Sequence, residues 1–312
     1  MISLERVLYI QTQVEAVTGI IISMSSIKFT LSKRRHYRIF GISMATQGLK
    51  LDGVSNARQL GGYICQDGRR IKQNVLLRTG ELCKLAPEGA KALAEQYEVK
   101  NIIDFRMESE RTGAVDKEVP GAENTWISVM EISDYSADIQ EVLRAAVELK
   151  MDRTQAMLEN AKTGFMAKMY DGILLTERAK CGYSQFFRIL LNQENGAVLW
   201  HCSAGKDRAG MASALLLYAL CADEEIIEAD YMLSGEAYQE KVEFMTALAA
   251  ANNLDEEATR DAIAMVSVLP EYLQRAFDEI KDEYGSVHRY LNDGLGISDK
   301  DMEKLRDRFL EV

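Results

Sequence analysis

Cys202 and Arg208 bracket the run His201, Cys202, Ser203, Ala204, Gly205, Lys206, Asp207 and Arg208, a C-x5-R spacing. A loop of five residues closing onto a helix N-terminus directs several backbone N–H groups into one small bowl. That bowl and the helix dipole favour a dianion such as phosphate. Arg208 adds a planar fork for two phosphate oxygens, which a lysine cannot supply. A thiol at the bottom of such a field ionises far more readily than at its ordinary pKa of ~8.5 and becomes a nucleophile. The chemistry these residues suit is transfer of a phosphoryl group to sulfur, with the amides and guanidinium neutralising the oxygens. No metal is needed, because those groups supply the charge a metal would. Asp207 can protonate the leaving oxygen and later activate water; capping the next helix is its alternative role. Lys206 suits an anionic group of the substrate, or is an ordinary exposed loop lysine. His201 orients the loop through hydrogen bonds.

These side chains need a strand before them and a helix after. Ala197 to Trp200 is an uncharged run after the turn residues Asn195 and Gly196, as a buried parallel strand should be. Met211 to Leu220 is apolar on all sides and reads as a buried helix. Lys100 to Phe105 reads as a second buried strand, with Asp104 and Arg106 near its C-terminal end, where open α/β sheets place their sites. Asp104 is thus a rival proton donor; its other role is to hold Arg58 or Arg106 in an ion pair. Residues 54–80 read as a β-hairpin about the turn Gln66 to Gly68, and Asn124 to Met130 as another strand. A helix starts at Ala86, Pro87 and Glu88 and runs to about Tyr97. From Ala137 to Asn192 the pattern is helical, with breaks near Gly164 and Gly182. Residues 223–312 are helical, with a stop at Gly285 and a cap at Ser298. The stripe Met232, Leu233, Phe244, Met245 and Leu248 reads as core or lid packing.

The loop His201–Arg208 closely resembles the H-C-x-A-G-K-D-R loop of the bacterial and fungal protein tyrosine/serine phosphatase family. Three further stretches are similar to that family: Val54 to Tyr63 to its N-x-R-D-L-G-G segment, Val75 to Gly80 to its L-x-R-S/T strand end, and Ile102 to Glu110 to its D-x-R-x-x-x-E segment. Tyr284 to Leu291 and Leu295 also resemble the family's C-terminal end, so the resemblance spans roughly residues 50–312. It implies a cysteine-phosphatase fold: α/β, a central mostly parallel sheet flanked by helices, with a helical C-terminal lid or subdomain. It implies Cys202, Arg208, Asp207 and Asp104 as catalytic residues, Ser203, Ala204, Gly205, Lys206 and Arg106 as substrate-binding, and His201, Arg58 and Glu110 as supporting. The substrates implied are phosphotyrosine, phosphoserine/threonine or phosphoinositide, with dual specificity. Two departures stand out. Ala209 occupies a position where the family carries Thr or Ser, whose hydroxyl helps the thiolate leave from phosphocysteine. Gln59 replaces an Asp, which removes an ion-pair partner for Arg58.

Composition narrows the remaining classes. The 312 residues carry a formal net charge of −11, which argues against a general nucleic-acid binder or a protein of anionic membranes. Five cysteines without a C-x-x-C pair, and three histidines, make neither a disulfide framework nor a zinc site. The expected partners are phosphorylated proteins or phosphoinositides, with no cofactor, no nucleic acid and no stable membrane insertion, and the chain is expected to be a monomer. A reducing, cytoplasmic setting suits a free nucleophilic thiol; secretion without a leader is the alternative. Residues 1–47 read as an N-terminal extension, and 48–312 as one catalytic domain that includes the helical part 223–312. In the extension, Val17 to Met24 is too short to span a bilayer. Ile27 to Leu31 and Tyr37 to Phe40 suit edge strands, Lys33 to Arg38 is a basic cluster on a solvated flank, and Met44 is an alternative start. Two rivals to the phosphatase are a phospho-ligand binding module that barely turns over, which Ala209 favours, and a rhodanese-like sulfur transferase.

Overall fold

A computed structural model describes residues 47–135, 137, 140, 153–162 and 164–312. The expected edge strands, basic cluster, apolar run and alternative start of the extension lie outside these residues, as does most of the span 138–152.

The central sheet is built from β1 (Arg58–Gln59), β3 (Leu76–Thr79), β4 (Val99–Asp104), β5 (Glu123–Trp126) and β6 (Ala197–His201), in the order β1-β3-β6-β4-β5. β1 is antiparallel to β3, and every other pairing is parallel. The expected α/β fold with a mostly parallel sheet is the one observed. β6 is central and wholly buried. Its side chains alternate between two cores: Val198 and Trp200 enter one, Ala197 and Leu199 the other. A strand covered on both faces has no room for a polar side, which is why this run is uncharged.

Helices cover both faces: α1 (Pro87–Lys91), α2 (Glu108–Gly113), α3 (Arg153–Ala161), α4 (Phe165–Gly172), α5 (Glu177–Asn192) and α6 (Arg208–Ala219). The C-terminal part adds α7 (Glu224–Ala237), α8 (Gln239–Ala251), α9 (Glu256–Val266), α10 (Pro270–Tyr284) and α11 (Asp299–Phe309). Their ends follow the sequence signals. Pro270 takes the first turn of α10, Gly285 ends it in the left-handed region (φ 80°), and Ser298 caps α11 by accepting from Asp301 N. Among the stripe residues, Leu233 and Met245 are buried and Phe244 is exposed.

Two expectations are corrected. The 54–80 segment is not one hairpin within a sheet. Ile64 bridges Arg70 around the expected turn, but β2 (Arg70–Ile71) pairs with the C-terminal β7 (Leu310–Glu311), while β3 joins the central sheet. The apolar face of the second arm is thereby shared between two sheets. Gly182 does not break a helix; it lies within α5. A Cβ there would stand 2.6 Å from Val129 Cγ1 and 3.2 Å from Ile127 Cγ2, so the glycine lets α5 press against the chain after β5. Gly164 does mark a break, with φ 65° ahead of α4.

Three parallel strands end level: Thr79 and Asp104 both pair with His201. The loop of interest leaves β6 at that edge.

Candidate active site

Cys202 follows β6 directly and is 1% exposed, and α6 starts at Arg208. The loop between them is shaped by its carbonyls. Ser203 O accepts from Glu81 N (3.1 Å), Ala204 O from Tyr238 Oη (2.7 Å) and Asn56 Nδ2 (3.1 Å). Gly205 O accepts from Asn56 Nδ2 (3.0 Å) and Arg78 Nη2 (2.7 Å), and Lys206 O from Arg78 Nη2 (3.4 Å). A trans peptide sets its N–H opposite its C=O. Four successive carbonyls held by the surrounding protein therefore turn the following N–H groups the other way. Among the described residues, no amide from Ser203 to Arg208 donates to a protein acceptor. Gly205 makes the turn possible: its φ is 66°, and a Cβ would lie 2.2 Å from Thr79 O.

Arg208 is gripped by Glu110. Its Nη1 lies 2.5 Å from Glu110 Oε2 and its Nη2 2.9 Å from Oε1. Ser203 Oγ also donates to Glu110 Oε1 (2.5 Å), and Met107 N to Oε2 (2.8 Å). Burial alone would raise the Glu110 carboxyl, but the Arg208 guanidinium and these donors bring it down to about 2. Glu110, singled out as a supporting residue, thus touches both the arginine and the loop.

Asp207 does not cap α6 with its side chain. Its Oδ1 accepts from Tyr170 Oη at 2.6 Å, and Lys206 Nζ lies 2.9 Å from each of its oxygens. Lys206 is not an exposed loop lysine: it is 4% exposed and also donates to Ala264 O at 2.7 Å, near the C-terminal end of α9.

Asp104 and Arg106 form a separate cluster beside the loop. Arg106 Nε lies 2.9 Å from Asp104 Oδ1, and Nη2 reaches Asp104 Oδ2 (2.9 Å) and Asp116 Oδ2 (2.5 Å). Nη1 donates to Ala114 O (2.8 Å) and faces Glu81 Oε2 at 3.5 Å. The fork is therefore occupied by protein, and the substrate contact implied for Arg106 has no donor left to make it. Both Asp104 oxygens face this guanidinium, which is its ion-pair role. His201 joins from β6: Nδ1 lies 3.8 Å from Asp104 Oδ1, and Nε2 3.3 Å from Asp116 Oδ2 without hydrogen-bond alignment. Asp104, Asp116 and His201 have metal-ligand chemistry and lie close together. The Arg106 guanidinium already supplies the cation between the two carboxylates.

Beneath the loop lies a network that sequence reasoning missed in part. Asp230 of α7 is 1% exposed and receives Arg58 Nε (3.1 Å), Arg78 Nη1 (2.7 Å) and Tyr63 Oη (3.1 Å). Arg58 also bonds Asn56 Oδ1, so Arg58, Arg78 and Asn56 are ordered together. Arg58 pairs with Asp230 and not with Asp104. The ion-pair partner of Arg58 thus comes from α7. Two guanidinium groups share one carboxylate here, and burial and the Arg58 charge press Arg78 down to about 10. An internal Asp on a helix gives no sequence signal of its own; only the two unpaired arginines upstream hint that a buried anion must exist.

Residues 49–311 match the model of the tyrosine phosphatase family. The chain belongs to that family. It is 30% identical over 265 residues to a protein of Cupriavidus necator provisionally named a tyrosine-protein phosphatase, covering 84% of this chain and 88% of that one. It is 25% identical over 275 residues to the triple specificity protein phosphatase PtpB of Mycobacterium tuberculosis, covering 82% and 97%. A tyrosine-protein phosphatase of Nostoc commune is 29% identical over 148 residues, 47% of this chain and 44% of that one. Membership in this tyrosine phosphatase family makes phosphatase activity the function of the fold. Among the described residues, no helix is long and apolar enough to cross a membrane.

Proposed function

We propose that the chain hydrolyses phosphomonoesters through a phosphocysteine formed on Cys202, without a metal. The observation that carries this reading is the loop's carbonyl pattern: the carbonyls of Ser203, Ala204, Gly205 and Lys206 all accept bonds from outside, which turns the following amides away from those donors and leaves them for phosphate oxygens. Glu110 engages one N–H on each terminal nitrogen of Arg208. A guanidinium has five N–H donors, so Nε–H and the remaining terminal hydrogens are left for phosphate oxygens.

In the first step the Sγ–P bond forms as the bond from phosphorus to the leaving oxygen breaks. The electron pair of that bond stays on the leaving oxygen, which takes a proton from Asp207. In the second, water attacks phosphorus, the S–P electron pair returns to sulfur, and the water proton passes to Asp207. Asp207 is preferred to Asp104 because Asp104 is 2% exposed and is held by Arg106 through three hydrogen bonds to its side chain. Asp207 belongs to the loop itself and is only partly buried. Phosphotyrosine is the proposed substrate, with phosphoserine/threonine and phosphoinositides as the further classes that the resemblance of the loop implies.

The test is hydrolysis of an aryl phosphate in excess EDTA by the whole chain and by Cys202→Ser. Wild-type turnover that survives EDTA and vanishes in the variant is expected; full activity in the variant overturns the reading. Ala209 supports a second reading, a binding module that traps phosphate on sulfur. Its backbone carbonyl is held by Trp200 Nε1 and Ser213 Oγ, and its side chain brings no hydroxyl to the loop. One equivalent of product followed by negligible steady turnover would favour that reading.

A further inference from the structure

Asp207 is reached from a helix outside the loop, and the contact is built with care at every point. Tyr170 on α4 is 1% exposed, and its hydroxyl lies 2.6 Å from Asp207 Oδ1 and 2.6 Å from Tyr231 Oη. A phenol has one proton. Tyr170 gives it to the carboxylate oxygen, so Tyr231, also 1% exposed, must donate to Tyr170. The chain of donors runs Tyr231 to Tyr170 to Asp207. Burial holds both phenols well above their ordinary pKa, so they remain protonated donors.

The helix that carries Tyr170 is clamped at both ends. Asp261 of α9, 2% exposed, accepts from Met166 N (3.0 Å) and Ala167 N (3.4 Å) in the first turn of α4. Arg275 of α10 pairs with Asp171 in its last turn. Tyr272 packs its ring 5.1 Å from that of Tyr170 and donates to Asp261 Oδ1 at 3.0 Å. A short helix held this way at both ends fixes the tyrosine oxygen relative to the loop.

We infer that Tyr170 is a positioning residue for proton transfer by Asp207. This rests on the reading of Asp207 as the proton donor. Oδ1 takes the Tyr170 hydroxyl and one approach of Lys206 Nζ, whereas Oδ2 meets Lys206 alone. The transferable proton is therefore assigned to Oδ2, with the Tyr170 hydrogen bond on Oδ1 fixing which oxygen carries it. As the leaving oxygen takes that proton, charge grows on the Asp207 carboxylate, and the Tyr170 hydrogen bond strengthens with it.

Leaving-group dependence separates this role from a merely structural one. A phenol that leaves as a stable anion needs little protonation; a basic phenol needs it. Values of kcat/KM, which report the first step, are to be measured for phenyl phosphate and for 2,4-dinitrophenyl phosphate. Tyr170→Phe is expected to lose about tenfold on phenyl phosphate and less than about twofold on the dinitrophenyl ester. Tyr231→Phe, which leaves the Tyr170 ring and hydroxyl in place, is expected to show the same asymmetry at smaller size, and it carries the test if Tyr170→Phe does not fold. Equal losses on both esters, or none on either, in the folded variant overturn the inference. Asp207→Asn is the control for the parent reading: it should show the larger asymmetry. If Asp207→Asn treats the two esters alike, the proton-donor assignment falls. If it is asymmetric while Tyr170→Phe is not, only the role of Tyr170 falls.

Discussion

At the scale of single residues, Glu110 decides where Arg208, the proposed phosphate ligand, stands. Its carboxylate takes two bonds from Arg208, one from Ser203 and one from a backbone amide, and is held at about 2, below the ordinary 4.5. A carboxyl whose pKa falls on folding stabilises the folded state wherever it is ionised in both states, here above pH 4.5. That contribution disappears as pH drops from 4.5 toward 2. Glu110→Gln should therefore be less stable than wild type at pH 7, by about 2–3 kcal/mol. This lies just below the range of about 3–5 kcal/mol for breaking a buried pair, because 24% of the Glu110 side chain is exposed. The gap should narrow toward zero between pH 4.5 and 2, as read from urea midpoints at several pH values. A gap independent of pH would mean that packing, not charge, is what the glutamate supplies. In the same variant Arg208 loses its anchor, and kcat/KM on an aryl phosphate should fall about tenfold.

At the scale of elements, the strand, loop and helix around Cys202 specify one another. Gly205 is the joint. With φ at 66° and Thr79 O within 2.2 Å of where a Cβ would stand, Gly205→Ala meets backbone strain and a clash with a neighbouring strand end together. A loss of at least ~2 kcal/mol in unfolding free energy is expected, with weaker binding of inorganic phosphate. A variant as stable as wild type would show that the loop tolerates another path. The same stretch was readable from sequence because its signals are local: an uncharged run, a glycine and a basic fork at fixed spacing, and an apolar helix. The helix ends at Gly285 and Ser298 were readable for the same reason. Gly182 was not, because a helical glycine that breaks the chain and one that admits a neighbour look alike until the neighbour, Val129, is placed. The partner of Arg58 was hidden likewise. Asp230 is far along the chain, and only the packing of α7 beneath the loop brings it within 3.1 Å. The partners of Lys206 and Arg106 are not legible in sequence, because Ala264 O and Asp116 arrive from elements whose placement no local pattern encodes.

At the scale of the whole molecule, the loop proposed to bind phosphate sits in a protein of formal net charge −11. The two fields act at different ranges. The local one is short and buried: amide dipoles, Arg208, and two arginines sharing Asp230 beneath the loop. Buried and partly buried charges are screened far less by salt than exposed ones. The global field is felt in solvent before contact, and at physiological ionic strength it fades over a Debye length of ~8 Å. An approaching phosphopeptide with acidic neighbours is therefore repelled on the way in and attracted only on arrival. Raising sodium chloride from about 20 to about 150 mM should increase kcat/KM for such a peptide several-fold, because screening removes the long-range repulsion first. For a peptide with the same phosphorylated residue and basic neighbours, the sign reverses and kcat/KM should fall over the same range. The value of kcat itself should hardly move for either, since chemistry occurs among those weakly screened charges. A fall with salt for both peptides would instead mean that exposed cations around the loop, and not the net charge of the molecule, govern the encounter.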